Sequence, residues 1–352
     1  MDLYEYEGKA LFKEYSIPIP KSILVKNNLL PKKLPAENLI LKAQVLHGKR
    51  KKQGLIKNST TENIKKNIQA IRKKTQQPIL IEEQLKIAKE YYISILINQR
   101  NACYSLLFSE AGGINIEEIP KNKIKKVDFL KFPKKEIQKI TKNKTITEIA
   151  QKLFNLFKEK DATLVEMNPL IKTKQNQFIA ADAKITIDDN ALYKQQEIEK
   201  INNQRKTQEQ KEAEKWGIHY VPLDGNISVI GNGAGLVMGT LDLLKQNNLK
   251  PANFLDAAGG TTKASMMHAL NIIKKQKQCK AIFVNMFGGI TETDEVARAI
   301  IAFKEKEKPK IPLIIRLYGT HYKKAHEMLK KKSISVYKTI PEAIKELTKR
   351  VK

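Results

Sequence analysis

A chain of 352 residues, 41% of them hydrophobic, is long enough for two cores of ordinary size, and this excludes disorder as its organising state. Its only two cysteines, Cys103 and Cys279, lie far apart without Cys/His spacing, so neither a disulfide scaffold nor a zinc site is expected. Lysine and arginine number 65 against 37 acids, a net charge of +28, which raises the question of a nucleic-acid partner. The lysines are scattered beside Ile and Leu, as at Lys65-Lys66, Lys73-Lys74, Lys134-Lys135 and Lys330-Lys331-Lys332. No aromatic stacking platform, helix-turn-helix or zinc-finger spacing accompanies them, so solvated helix faces are expected and a specific nucleic acid is not. The stretch Met1 to Glu7 is acidic and amphipathic, unlike a signal or transit peptide. No apolar run reaches the ~20 residues of a membrane span, and the expectation is a cytoplasmic protein.

In chain order, Asn38 to Ala43 and Ile79 to Glu82 read as buried strands. Tyr91 to Asn98 and Ala102 to Ser109 read as consecutive strands around Gln99-Arg100-Asn101. Ile146, Ile149, Leu153, Leu156 and Phe157 recur at helical spacing. Ala162 to Glu166 and Gln177 to Ala183 flank a polar turn at Lys174-Gln175-Asn176. From Leu192 to Trp216 the composition is almost wholly polar, predicting one exposed connecting helix and a domain boundary near its end, between domains 1–215 and 216–352. Beyond it, strands at Ile227 to Ile230, Asn253 to Leu255, Ala281 to Asn285 and Leu313 to Leu317 alternate with helical stretches and run into glycines. That pattern predicts a parallel α/β sheet with its ligand site at the carboxyl ends of the strands.

Four places could carry chemistry. Asn168 and Asp182 are equidistant from residue 175, so a hairpin would oppose them across its arms. Their oxygens suit Mg²⁺, with water and phosphate completing the shell, although an ordinary polar hairpin has the same spacing. Glu166 shares the side of Asn168. Lys42 ends a strand and is followed by the cationic stretch Gly48-Lys49-Arg50-Lys51-Lys52, able to close over a triphosphate or to be a solvated basic loop. The turns Gly231-Asn232-Gly233-Ala234-Gly235 and Gly288-Gly289-Ile290-Thr291 each follow a strand, where backbone N–H groups can meet an anion. A dinucleotide-binding fold is the rival, with Asp256 near the position of its ribose acid. Its third fingerprint glycine, however, would fall on Leu236 or Met238.

Taken together, Leu3-Tyr4-Glu5-Tyr6-Glu7-Gly8-Lys9, Leu41-Lys42-Ala43-Gln44-Val45, Ile87-Ala88-Lys89-Glu90, Val165-Glu166-Met167-Asn168-Pro169-Leu170, Asn232-Gly233-Ala234-Gly235-Leu236 and Val284-Asn285-Met286-Phe287-Gly288-Gly289-Ile290 resemble, in order, the β subunits of succinyl–CoA ligases. The resemblance implies a mixed α+β and α/β fold, an N-terminal ATP-grasp domain followed by a flavodoxin-like CoA-ligase domain with a parallel sheet. It further implies nucleotide contacts by Lys42, Lys49, Arg50, Lys51, Glu82, Leu85 and Glu90, and Mg²⁺ held by Asn168 and Asp182. Succinate or phosphate would lie at Asn232, Gly289, Ile290 and Thr291, and Glu166 beside a visiting phosphohistidine. The implied reaction is reversible conversion of succinyl-CoA, phosphate and ADP or GDP to succinate, CoA and ATP or GTP, in a bacterial cytoplasm. None of the five histidines has the Gly-His-Ala-Gly setting of the phosphorylated one, so that group belongs to an α subunit, the partner without which the chain is inactive. A sister enzyme such as a malate–CoA ligase would share these features, and a basic RNA-binding protein remains the alternative of another class. Three positions depart from the family pattern: the glycine-poor stretch 48–52, Ala111 before Gly112-Gly113, and Tyr318 after Arg316-Leu317.

Overall fold

The structure, a computed structural model, describes residues 1–27, 30–48, 50–114 and 116–351. These form two compact units, Met1–Lys200 and Ile201–Lys352. The first unit opens with α1 (Glu5–Glu14), then β1 (Ser22–Val25), β2 (Asn38–Ala43), β3 (Ile56–Thr60), α2 (Ile64–Arg72) and β4 (Ile79–Glu83). The four strands make an antiparallel sheet in the order β1-β4-β2-β3, and Ile64, Ile68 and Ile71 of α2 bury against it.

A second antiparallel sheet follows from β5 (Ile87–Asn98), β6 (Cys103–Ser109), β7 (Lys125–Phe129), β8 (Ala162–Thr173), β9 (Phe178–Ala180) and β10 (Lys184–Ile187). Its order is β10-β8-β5-β6-β7, with β9 paired to β8. Between β7 and β8 come α3 (Lys134–Thr141) and α4 (Lys144–Glu159). The apolar residues singled out by spacing, Ile146, Ile149, Leu153, Leu156 and Phe157, form the buried stripe of α4. Asn143 caps that helix by accepting from the Ile146 N–H at 3.1 Å.

The polar stretch after residue 192 is two helices rather than one, α5 (Gln196–Arg205) and α6 (Gln208–Glu214). The break has a local cause. Thr207 accepts from the Gln210 N–H while Gln210 reaches back to the Thr207 N–H, a capping box that starts a new helix.

The second unit continues with β11 (His219–Pro222), β12 (Ile227–Gly231), α7 (Ala234–Gln246), β13 (Asn253–Asp256), α8 (Lys263–Lys274), β14 (Ala281–Gly288), α9 (Thr293–Glu307), β15 (Leu313–Gly319), α10 (Tyr322–Lys331) and α11 (Ile340–Val351). Its sheet runs β11-β13-β12-β14-β15. The four strands expected from sequence are parallel, and β11 adds an antiparallel edge that was not foreseen. Alternate residues serve two cores: Ile227, Val229, Ala281 and Phe283 face α7 and α11, whereas Ile230, Ile282, Val284 and Met286 face α8, α9 and α10. The chain leaves the central β12 first to one side and then to the other. The switch point, where such sheets bind ligands, therefore lies between β12 and β14.

Candidate functional site

In the first unit, a buried cage of charge joins five separate segments. Glu5 and Lys9 stand one turn apart on α1, and both are almost fully buried. Lys9 Nζ donates to Glu5 Oε1 at 2.7 Å, Glu82 Oε1 at 2.5 Å and the Ala181 carbonyl at 2.7 Å. Lys42 Nζ, from the end of β2, meets the same three groups: Glu5 Oε1 at 2.8 Å, Glu82 Oε2 at 2.7 Å and the Ala181 carbonyl at 2.6 Å. Arg50 adds a third cation. Its Nη1 donates to Glu5 Oε2 at 2.6 Å, and its Nη2 lies 3.0 and 3.1 Å from the two oxygens of Asp182. Burial pushes the Glu5 carboxyl up, but Lys42, Lys9 and Arg50 together hold it well below its ordinary range. Burial pulls the Lys42 ammonium down, and Glu5, Glu82 and Asp182 more than reverse this, so it stays charged. Removing one partner from so buried a set costs about 3–5 kcal/mol, because a charge is left uncompensated.

Beside the cage, the β8–β9 pairing (Leu170 opposite Ala180) and the β8–β10 pairing (Glu166 opposite Lys184) keep a single register. That register sets Asn168 opposite Asp182, as the spacing about residue 175 predicts. Asn168 Oδ1 accepts from the Gly113 N–H at 2.9 Å, and its amide donates to the Ile114 carbonyl at 2.8 Å. Gly112 lies so close to β5 that an added Cβ would stand 2.4 Å from the Tyr91 carbonyl oxygen, and one on Gly113 would stand 2.5 Å from Glu90 Oε2. The Gly112-Gly113 turn thus brings Glu90 and Asn168 to one place. Burial pushes the Glu90 carboxyl up, partly offset by the charge of Lys51. Glu166 Oε2 accepts from the Tyr92 hydroxyl at 3.0 Å, and that hydroxyl lies 2.9 Å from Ser94 Oγ. Burial pushes the Glu166 carboxyl up as well, against the Tyr92 hydrogen bond and Lys184.

The other residues named from sequence are less engaged. Lys51 is exposed, Leu85 is half-buried in the link between β4 and β5, and Lys49 lies outside the described residues. The Glu82 carboxylate faces inward to the two lysines. Sequence reasoning missed Glu5, Lys9, Tyr92 and Gly113. A Glu and a Lys four apart on an amphipathic helix read as a solvated pair, and nothing local signals their burial.

In the second unit, the two glycine turns meet at the switch point. Asn232 Nδ2 donates to the Phe287 carbonyl at 2.8 Å and lies 3.3 Å from Thr291 Oγ1, while its Oδ1 accepts from the Phe287 N–H at 2.9 Å. Thr291 is buried and also accepts from the Gly260 N–H at 3.1 Å. Gly289 is exposed, and Ile290, 86% exposed, projects from the same turn. Phe287 stacks on Tyr318, and Tyr318 meets Tyr322 at a tilt, so an aromatic strip borders the turns. Asp256 accepts from the N–H groups of Gly233 at 2.6 Å and Ala258 at 2.8 Å. Its carboxylate braces the turn and is almost fully buried, which removes the ribose acid a dinucleotide site would need.

Comparison with known proteins agrees with both halves. The ATP-grasp domain family matches residues 2–172, and the CoA-ligase family matches residues 230–349. The chain is 34% identical to the succinate–CoA ligase [ADP-forming] β subunit of Wolbachia sp. subsp. Brugia malayi, over all of both chains. It is 37% identical to the corresponding subunit of Methanocaldococcus jannaschii, over 99% of each. It is also 34% identical to the [GDP-forming] β subunit of Thermus thermophilus, over 99% of this chain and 98% of that one. Among solved structures, ATP citrate lyase from Methanothrix soehngenii, in complex with citrate and coenzyme A, shares the fold at a TM-score of 0.69 and 16% identity, covering 98% of this chain and 99% of that one. No helix among the described residues is long and apolar enough to cross a membrane. With identity above 30% along its whole length to these relatives, the chain belongs to the succinate–CoA ligase β-subunit family.

Proposed function

We propose that this chain is the nucleotide-binding subunit of a succinate–CoA ligase. With an α subunit, it interconverts succinyl-CoA, phosphate and ADP or GDP with succinate, CoA and ATP or GTP. The observation that carries the reading is the Lys42–Arg50 cation pair, with Arg50 bonded to Asp182 and Asn168 opposite Asp182 in the hairpin register. Two cations next to two hard oxygen ligands form an arrangement suited to a phosphate chain and its divalent ion. Asp182 already accommodates a positive group, the Arg50 guanidinium, so its carboxylate fits a cation. Asn168 and Asp182 would hold Mg²⁺, which would supply charge compensation for the phosphates.

The protein groups have separable parts to play. Lys42 and Arg50 orient and neutralise the phosphates, and Glu90 bounds the nucleotide site together with Lys51 and Leu85. Glu166, fixed by Tyr92, faces the phosphorylated histidine that the α subunit brings. In the second unit, Asn232 and the turn Gly289-Ile290-Thr291 hold succinate or phosphate at the surface met by that subunit, with Ile290 and the aromatic strip as apolar contacts. The reaction takes place in the cytoplasm. The direct experiment is co-expression with the α subunit, followed by an assay of succinate- and CoA-dependent ADP or GDP release. A stable complex that turns over neither nucleotide would sink the reading.

A further inference from the structure

We propose that Lys9 is a positioning residue that frees Lys42 for the nucleotide. The inference rests on the proposed function and on the geometry of the cage. An ammonium group has three donors. All three protons of Lys42 are engaged, by Glu5, Glu82 and the Ala181 carbonyl, so Lys42 can reach a phosphate only by giving up at least one of these partners. In a site this buried, releasing a carboxylate without a replacement cation is strongly unfavourable. Lys9 removes that obstacle. It donates to the same two carboxylates and the same carbonyl, at 2.5 to 2.7 Å. Its side chain is 2% exposed against 9% for Lys42, and it belongs to α1, whereas Lys42 ends a strand and is followed by the cationic loop. Lys9 is therefore the resident counter-ion and Lys42 the exchangeable one. When Lys42 turns to a phosphate oxygen, Glu5, Glu82 and the Ala181 carbonyl remain paired with Lys9.

The first test is structural and uses the wild-type complex with its α subunit. A crystal structure with Mg²⁺ and a non-hydrolysable nucleoside triphosphate should show Lys42 Nζ bonded to phosphate and parted from at least one cage oxygen, with all three Lys9 contacts kept. Bound nucleotide with Lys42 still holding all three partners would overturn the proposal while leaving the proposed function intact. If the wild-type complex binds no nucleotide, both fall. The second test is Lys9→Met in the same complex. The expected result is a nucleotide KM raised about tenfold or more, the size of one lost charge-assisted hydrogen bond, with KM for succinate and CoA within about twofold of wild type. A folded Lys9→Met enzyme with unchanged nucleotide KM, or with all three KM values raised together, would overturn it. If that variant does not fold, the crystallographic test decides.

Discussion

Asp182 links the buried charge cage to the β8–β9 hairpin. Both of its oxygens accept from Arg50 Nη2, Oδ1 also accepts from the Ala183 N–H at 2.8 Å, and the residue stands opposite Asn168 in the hairpin register. Asp182→Ala should lower Mg²⁺-dependent turnover by at least about 100-fold, read as the metal dependence of ADP or GDP release. Full turnover in that variant would refute its part in the metal site. This residue was legible in the sequence because hairpin register is arithmetic: two polar residues equidistant from a turn must oppose one another. Glu5 and Lys9 were not legible. Their spacing also suits an exposed helix pair, and only the closure of β2, β4 and the segment at Ala181 around α1 buries them.

Individual elements show the same division. The strands β2, β12 and β15 could be read from short apolar runs, because a buried strand needs little beyond such a run. The break between α5 and α6 escaped because the capping box at Thr207 interrupts an otherwise uniform polar composition. A junction in the second unit carries a pH prediction. Asp294, in the first turn of α9, lies 2.8 Å from Arg298 Nη2, 2.8 Å from Lys324 Nζ and 3.2 Å from His321 Nδ1. It thereby ties α9 to the start of α10, where two basic residues oppose the helix dipole. Burial pushes its carboxyl up, but the hydrogen bonds from Lys324, Arg298 and His321 outweigh this and bring it from 3.8 to about 2. A carboxyl lowered on folding contributes stability above its unfolded value and loses it as pH falls through the folded one. The clasp should thus weaken between about pH 4 and pH 2, with about 2 kcal/mol at stake. Denaturant titrations of wild type and Asp294→Asn should converge across that window. A constant gap between them would show that the charge is not the cause.

On the scale of the molecule, the large positive charge and the fold answer different questions. Surplus lysines occupy exposed faces such as those of α10, whose Lys323, Lys330 and Lys331 lie outside the buried Ala325 and Leu329. The cations that matter to the site are few and buried, and they are matched by carboxylates. A count of charge could not separate the two populations, and the ordered motifs did so only in part, naming Lys42 and Arg50 together with exposed Lys51 and passing over Lys9. The parallel sheet was legible for a comparable reason. Each strand running into glycine marks one carboxyl end, but an antiparallel edge such as β11, four residues long and only partly buried, leaves no such mark.

With Asp182 as the proposed metal ligand and Arg50 as a proposed phosphate contact, their mutual bond would also couple two ligands. A free divalent ion meets a carboxylate already neutralised by the protein's own guanidinium, and an unaccompanied nucleotide meets an arginine already bound to two acids. Each ligand releases the group that the other requires, so their affinities are linked reciprocally. Calorimetric titration should find Mn²⁺ binding tightened by nucleotide and nucleotide binding tightened by Mn²⁺ to the same factor. In Arg50→Gln that shared factor should shrink toward one. The resting subunit would then be insensitive to fluctuations of either ion or nucleotide alone and respond to their pairing.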